Sequence, residues 1–305
     1  MRPINISEAI EMYIPYCESY YDGGRHTANI KSGLGRFFAG WGHLSLSGLS
    51  TPTIAQIRDR RAREGELSRP YINKLLGYVG QFARWAAEYG LAPASIVQEV
   101  DAVRKLRRGA HGATEPERVE PASADLVELV RSQMRPQLRA YLDMMRLTGM
   151  RPGEARIMRA GDCELVATDA MVYTPRRHKT AHHGRARYIA IVGPAFDLTN
   201  RLIHQVRSSS LYQDAEYLFS PDGSGRRPYA EFSIAQAVRK LCDELSVERL
   251  RLNQLRHAYA SDAYERGHER KDIGRVLGHS NERTTGIYIH ESKRRVVEEA
   301  IRLAG

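Results

Sequence analysis

The 305-residue sequence has only three cysteines, Cys17, Cys163 and Cys242, and no two of them form a C-x-x-C pair. So sparse a set supplies neither a disulfide framework nor a cysteine-bound zinc site, and it predicts a reducing, cytosolic setting. Long apolar runs are missing too, since nothing approaches the ~20 residues that a membrane helix requires. Glu8 and Glu11 interrupt the stretch in which an export signal needs continuous apolar residues, so no such signal is expected. Acidic residues are the third shortage. Against 46 Lys and Arg stand 36 Asp and Glu, which leaves a formal charge of +10. That excess favours a polyanionic partner, nucleic acid before an anionic membrane surface. Internal repeats and low-complexity segments are also lacking.

What is there suits two domains, by the soft rule of ~150 residues each. From Ser7 to about Ile96 the pattern is helical. In "SRPYINKLLGYVGQFARWAAEYG", Ser68 offers a cap, Ile72, Leu75, Leu76, Val79, Phe82, Ala83 and Ala86 recur at helical spacing, and Gly90 stops the run. A shorter helix carries Ile30, Leu34, Phe37 and Phe38. Residues 1–103 therefore read as a small helical bundle with arginine-rich polar faces. The run "RDRRARE" at 58–64 is a solvated face by default and a phosphate-contacting face in the sharper reading. Residues 104–122 lose the periodicity and gain Gly, Pro and mixed charge, as an exposed linker does.

In the second domain, 123–305, Ser123 can cap one helix and Gly149 ends the next. The β-branched stretches "ELVATDAMVYTP" and "ARYIAIVG" flank "RRHKTAHHGR", which predicts a hairpin with a long basic tip. From Tyr229 onward the pattern is helical again. The fold class expected is mainly α: a helical bundle followed by an α+β domain with a small antiparallel sheet.

Three separated stretches offer cations to an anion. In "TGMRPGEARIM", Gly149 closes one helix and Pro152 suits the first turn of the next, so Arg151 stands at a helix N-terminus with Glu154 one turn on. A planar guanidinium there can grip two phosphate oxygens, whereas the plain alternative is a surface arginine paired with Glu154. The hairpin has no acidic residue between Asp169 and Asp197 and carries Arg176, Arg177, Lys179, Arg185 and Arg187, a charge that suits a nucleic-acid groove or backbone. Lys179, at the tip, can protonate a leaving oxygen. His178, His182 and His183 lack a carboxylate or cysteine at ligand spacing, so no metal is expected. The third stretch, "LRLNQLRHAYASDAYERG", places Arg256 on a helix, while His257 beside it faces elsewhere and reads as structural. Near the end, "GRVLGHSNERTTGIYIH" adds His279 and Tyr288. Tyr288 is a core residue unless cations gathered around a phosphate make its phenol, with a pKa of ~10, a workable nucleophile.

"TGMRPGEA", the basic hairpin with "HKT", "LRHAYA", "VLGHS" and "TTGIYIH" occur in the order and with the separation found in the tyrosine recombinases, the phage integrase family, which the chain resembles across its second domain. The first domain resembles that family's SAM-like core-binding bundle. The resemblance implies a site-specific recombinase in which Tyr288 attacks the scissile phosphodiester and leaves a 3′-phosphotyrosine. Arg151 and Arg256 would clamp the non-bridging oxygens, Lys179 would be the general acid, His279 would bond the phosphate, and Glu154 would support the arginines. No metal or other cofactor is implied. One departure is Asn253, where the family usually has a histidine three residues before the second arginine. An amide donates a hydrogen bond but cannot accept the tyrosine proton as a base.

The expected partner is duplex DNA carrying recombination sites, bound by a homotetramer across two synapsed sites, with a monomer or dimer when free and no membrane. Arg104, Lys105, Arg107 and Arg108 are the further candidates for DNA phosphates. The bundle begins close to Met1, so core-type sites are expected rather than those needing an extra arm-binding domain. In the tail "ESKRRVVEEAIRLAG", Val296, Val297, Ala300 and Ile301 form one stripe, which packs on its own domain or, as the family implies, docks on a neighbour. A cytoplasmic, nucleoid-associated protein follows. Two other readings stay open: a topoisomerase of the same tyrosine chemistry, and a DNA-binding regulator that has lost strand cleavage.

Overall fold

The computed structural model describes residues 4–21, 24–116, 122–177, 186–208, 216–278 and 301–303. The chain divides into two compact units, Met1–Arg118 and Val119–Gly305.

The first unit is all helical: α1 (Ile6–Tyr20), α2 (Gly24–Phe37), α3 (Thr51–Arg63), α4 (Arg69–Glu88) and α5 (Ser95–Asp101). Asn5 caps α1, accepting from Glu8 N at 2.9 Å while its own N–H donates to Glu8 Oε2 at 3.0 Å, a reciprocal pair that satisfies two otherwise orphan donors. The apolar spacing read in α4 is the core: Ile72, Leu75, Leu76, Val79, Phe82, Ala83 and Ala86 are all buried. Ser68 is the N-cap residue by backbone conformation, but its hydroxyl makes no capping bond. Tyr13, Phe82 and Trp85 pack ring on ring, with centroids 4.9 to 5.9 Å apart.

Two expectations for this unit are corrected. Neither reading of "RDRRARE" describes Arg58 or Arg61, which are buried. Arg61 donates to the carbonyls of Phe37 and Ala39 and to Glu64, and Arg58 donates to Asp59 and to the Arg104 carbonyl. They serve backbone groups left over where helices and loops end, a use of arginine that a charge count does not separate from a binding face. Nor is 104–116 a free linker. Leu106 is buried with Ala62, Ile72 and Ala113, and Asn73 bonds both backbone groups of Leu106, at 2.8 and 3.0 Å. Arg69 N donates to Thr114 O at 2.8 Å. One apolar side chain and one amide thus fold the segment onto the first unit, leaving Arg104, Lys105, Arg107 and Arg108 exposed around Leu106.

The second unit packs α6 (Ala124–Gln133), α7 (Pro136–Thr148), α8 (Pro152–Arg156), α9 (Pro194–Arg207), α10 (Ser233–Glu244), α11 (Leu252–Glu265) and α12 (Arg270–Leu277) with a three-stranded sheet. Ser123 caps α6 as expected, accepting from Leu126 N at 3.2 Å. The sheet is antiparallel in the order β1 (Cys163–Ala167), β2 (Ala170–Tyr173), β3 (Ile189–Val192). "ELVATDAMVYTP" is therefore itself a hairpin: Ala167 pairs with Ala170 across the two-residue turn Thr168–Asp169. Met171, Tyr173, Ile189 and Ile191 face the main core, together with Tyr141, Met145 and Leu255. No helix among the described residues is long and apolar enough to cross a membrane. Of the tail, 301–303 are described: Leu303 is buried with Tyr259, Ile273 and Leu277, and its carbonyl accepts from Arg266 at 3.1 Å.

Arg61→Ala should cost about 2–4 kcal/mol, because it strands the buried Phe37 carbonyl and takes the partner from Glu64, while Arg63→Ala, at an exposed position, should stay within about 0.5 kcal/mol. Urea melts of the full chain followed by tryptophan fluorescence check this, because both tryptophans, Trp41 and Trp85, belong to the first unit.

Candidate active site

The site grows from the turn between α7 and α8. Gly149 ends α7 in the left-handed region, with φ +64°, and a Cβ there would lie 2.5 Å from Leu277 Cδ2 and 2.7 Å from Tyr259 Cδ1. Only glycine fits both the dihedral and the space. The chain then passes through Met150, and Arg151, extended at φ −74° and ψ 150°, stands as the N-cap of α8. Glu154 Oε2 accepts from Arg151 N at 2.7 Å and Glu154 Oε1 from Arg151 Nη1 at 2.9 Å. Two buried phenols fix this turn from below: Tyr141 donates to Pro152 O at 2.7 Å and Tyr173 to Glu154 O at 2.8 Å. Burial pushes both phenol pKa values up, which keeps them protonated as donors.

Arg256, on the first turns of α11, crosses to the same place. Its Nη1 donates to Gly149 O at 2.8 Å and its Nη2 to Leu277 O at 2.7 Å. It is 7% exposed, and burial, aided by the neighbouring Arg151 and Arg187, pushes its pKa down to about 10. Arg187, in the lead-in to β3, is also 7% exposed. Its Nε lies 3.6 Å from Glu154 Oε1, and its Nη1 donates to Val276 O at 3.0 Å and to Tyr188 O at 3.1 Å. Burial lowers its pKa, with Glu154 opposing the shift. Glu154 is 2% exposed and Arg151 keeps 24% of its side chain open.

Among the described residues three guanidiniums thus stand around one carboxylate, a local charge of +2. Buried like charges of this kind are tolerated where an anion completes the balance, and the forked donors of Arg151 and Arg256 suit two oxygens of a phosphate. The sequence reading named Arg151, Arg256 and Glu154, and the structure brings them together. It missed Arg187 as a site residue, counting it with the exposed hairpin cations. The signal was available: Arg187 precedes Ile189 and Ile191 by two and four residues, so strand alternation puts it on their inward face.

The remaining candidates divide. Asn253 is exposed on α11, one turn before Arg256, and His257 is exposed as well. Arg176 is exposed and donates to Asp162 Oδ1 at 2.8 Å, and Arg177 is exposed. Lys179, Arg185, His279 and Tyr288 lie outside the described residues, as do His178, His182 and His183. Among the described residues no three His, Cys, Asp or Glu side chains gather as metal ligands would.

Gly149→Ala should destabilise the chain by about 2–4 kcal/mol through dihedral strain and overlap with Leu277 and Tyr259. Gly153→Ala, where a Cβ meets nothing within 4 Å, should be neutral or mildly stabilising. Calorimetric melting of the two full-length variants makes the comparison.

Residues 122–295, more than half of the chain, match the model of the phage integrase family. Among curated proteins, the tyrosine recombinase XerC of Herpetosiphon aurantiacus is 26% identical over 163 residues, 52% of this chain and 50% of that protein. The chain thus matches about half the length of that relative. XerC of Roseiflexus sp. is 25% identical over 75% of this chain and 70% of its own length. XerC of Corynebacterium efficiens is 24% identical over 83% and 77%. Among solved structures, a lambda integrase tetramer bound to a Holliday junction covers 98% of this chain and 79% of its own at a TM-score of 0.67 and 15% identity. XerH bound to a palindromic difH substrate, in a post-cleavage complex, covers 89% and 77% at 0.63 and 15%. At such identities the two structures speak for the fold.

Proposed function

The chain belongs to the phage integrase family, and from that premise we propose that it is a site-specific DNA recombinase that cuts and rejoins strands through its own tyrosine. The observation that carries this reading is the cluster of Arg151, Arg187 and Arg256 around Glu154, the one carboxylate with them among the described residues. A phosphodiester supplies the missing negative charge. Arg151 and Arg256 take its non-bridging oxygens and stabilise the charge that grows on them as a fifth oxygen approaches phosphorus. The Tyr288 hydroxyl gives up its proton to water, its oxygen forms the new bond to phosphorus, the bond to the 5′-oxygen breaks, and Lys179 delivers a proton to that oxygen. The products are a 3′-phosphotyrosine and a free 5′-hydroxyl, and the reverse reaction with a new 5′-hydroxyl rejoins a strand. His279 bonds the phosphate, and Asn253 donates to it where the family has a histidine. No metal or other cofactor enters.

The substrate is duplex DNA. Arg104, Lys105, Arg107 and Arg108 on the first unit, and Arg176, Arg177 and Arg185 on the second, are assigned to backbone phosphates. By likeness to the lambda integrase tetramer on its junction, the working assembly is a homotetramer on two synapsed sites, with the tail docking between neighbours there. A protein of this kind works in the cytoplasm, at the nucleoid. The domains are then a core-binding unit and a catalytic unit. Asn253 alone favours a second reading, a DNA-binding regulator of the same fold in which cleavage is impaired.

The test uses duplexes selected from a random pool for binding to the full chain, then nicked beside the crossover so that the cleaved end is lost. Denaturing gels should show a protein–DNA adduct that disappears in Tyr288→Phe and falls at least about 100-fold in Arg151→Ala. Tight binding with no adduct from the wild type favours the regulator and makes Asn253→His the next variant.

A further inference from the structure

Helix α12 ends at Leu277, and Gly278 follows in the left-handed region with φ +66°. The last carbonyls of a helix have no partner within it. Here three successive ones each accept from a different arginine: Val276 O from Arg187, Leu277 O from Arg256 and Gly278 O from Arg151. The three arginines come from separate places in the chain, the lead-in to β3, α11 and the turn before α8. His279 is the next residue in sequence.

Resting on the recombinase reading, we propose that Arg187 is a positioning residue of the strand-cleavage reaction, which fixes the end of α12 and with it the chain entering His279, and keeps Arg151 incompletely neutralised. Two contacts carry this. The first is with Gly278, where a Cβ would lie 2.6 Å from Arg187 Nη1 and 2.9 Å from its Cζ, so the guanidinium rests against a backbone that only glycine leaves bare. The second is with Glu154, whose Oε1 lies 2.9 Å from Arg151 and 3.6 Å from Arg187. Sharing that carboxylate leaves Arg151 more attractive to phosphate than an exclusive pair would. Arg187 is nonetheless too enclosed to serve as a freely reaching ligand. Its Nε and Nη2 have no hydrogen-bond partner among the described residues, a cost that a purely structural tie to the carbonyls of Val276 and Tyr188 does not need.

The experiment compares wild type, Arg187→Gln and Arg187→Lys as full chains on the nicked duplex. At saturating DNA, Arg187→Gln should cleave about 100-fold more slowly, the scale of a displaced catalytic group, while Kd changes less than about threefold. The dependence of Kd on salt should be unchanged, and Arg187→Lys should recover at least about tenfold of the loss. Hydrogen exchange in Arg187→Gln should quicken at the amides of α12 and stay as in the wild type in α7. An unchanged cleavage rate overturns the proposal. So does a salt slope smaller by about 0.9, which marks a phosphate contact rather than a positioning role. Cleavage equally poor in both variants, alongside a collapsed melting temperature, reduces Arg187 to a core residue. A wild type that forms no adduct overturns the recombinase reading itself, whereas unchanged exchange at α12 in Arg187→Gln overturns the tie whatever the wild type does.

Discussion

Glu154 is buried against Arg151, with Arg187 close to the same oxygen and Arg256 beside them, and the second unit is arranged to hold that unequal set of charges in place. Uncompensated guanidiniums repel one another, so each must be anchored by something other than a counter-ion. Backbone carbonyls do this. Gly149 and the end of α12 together supply four acceptors, and two tyrosines hold the turn that carries Arg151. Glycine at 149 and 278 follows from the same demand, because the backbone must come close enough for its carbonyls to be reached.

Arginine does opposite work in the two units. In the first, Arg58 and Arg61 are buried on carbonyls and nearby carboxylates, and each has an acidic neighbour within hydrogen-bond reach. Their charge is balanced and their role ends with the fold. At the site in the second, one carboxylate faces three arginines among the described residues, and the surplus is available to a ligand. A net charge of +10 is therefore not a map of DNA contacts. What separates a phosphate site from a structural arginine is local imbalance under burial, together with donors that stay open, as on Arg151.

The sequence made the helices legible because their apolar spacing is regular, most clearly in α4. Arg151, Glu154 and Arg256 were legible as candidates because a glycine stop, a proline start and a helix surround them. Three features were not. The turn at Thr168–Asp169 hides inside a stretch that reads as one strand, because its two residues interrupt the β-branched pattern only briefly. The fold of 104–116 depends on Leu106 and Asn73 meeting across more than thirty residues, which no local window reports. Arg187 lay within a run of exposed cations, and composition outweighed the strand alternation that sets it inward.

The central claim is that the arginines of this site act on the negative charge of the scissile phosphate. Replacing one non-bridging oxygen of that phosphate with a methyl group makes it neutral while leaving a bond that Tyr288 can attack. The measurement is the rate of adduct formation by wild type and Arg256→Ala on the natural and the neutral substrate. Loss of Arg256 should slow cleavage of the natural phosphate at least about 100-fold and that of the neutral one much less, since no charge remains there to stabilise. Equal losses on both substrates would contradict the account and leave Arg256 as a structural tie between Gly149 and Leu277.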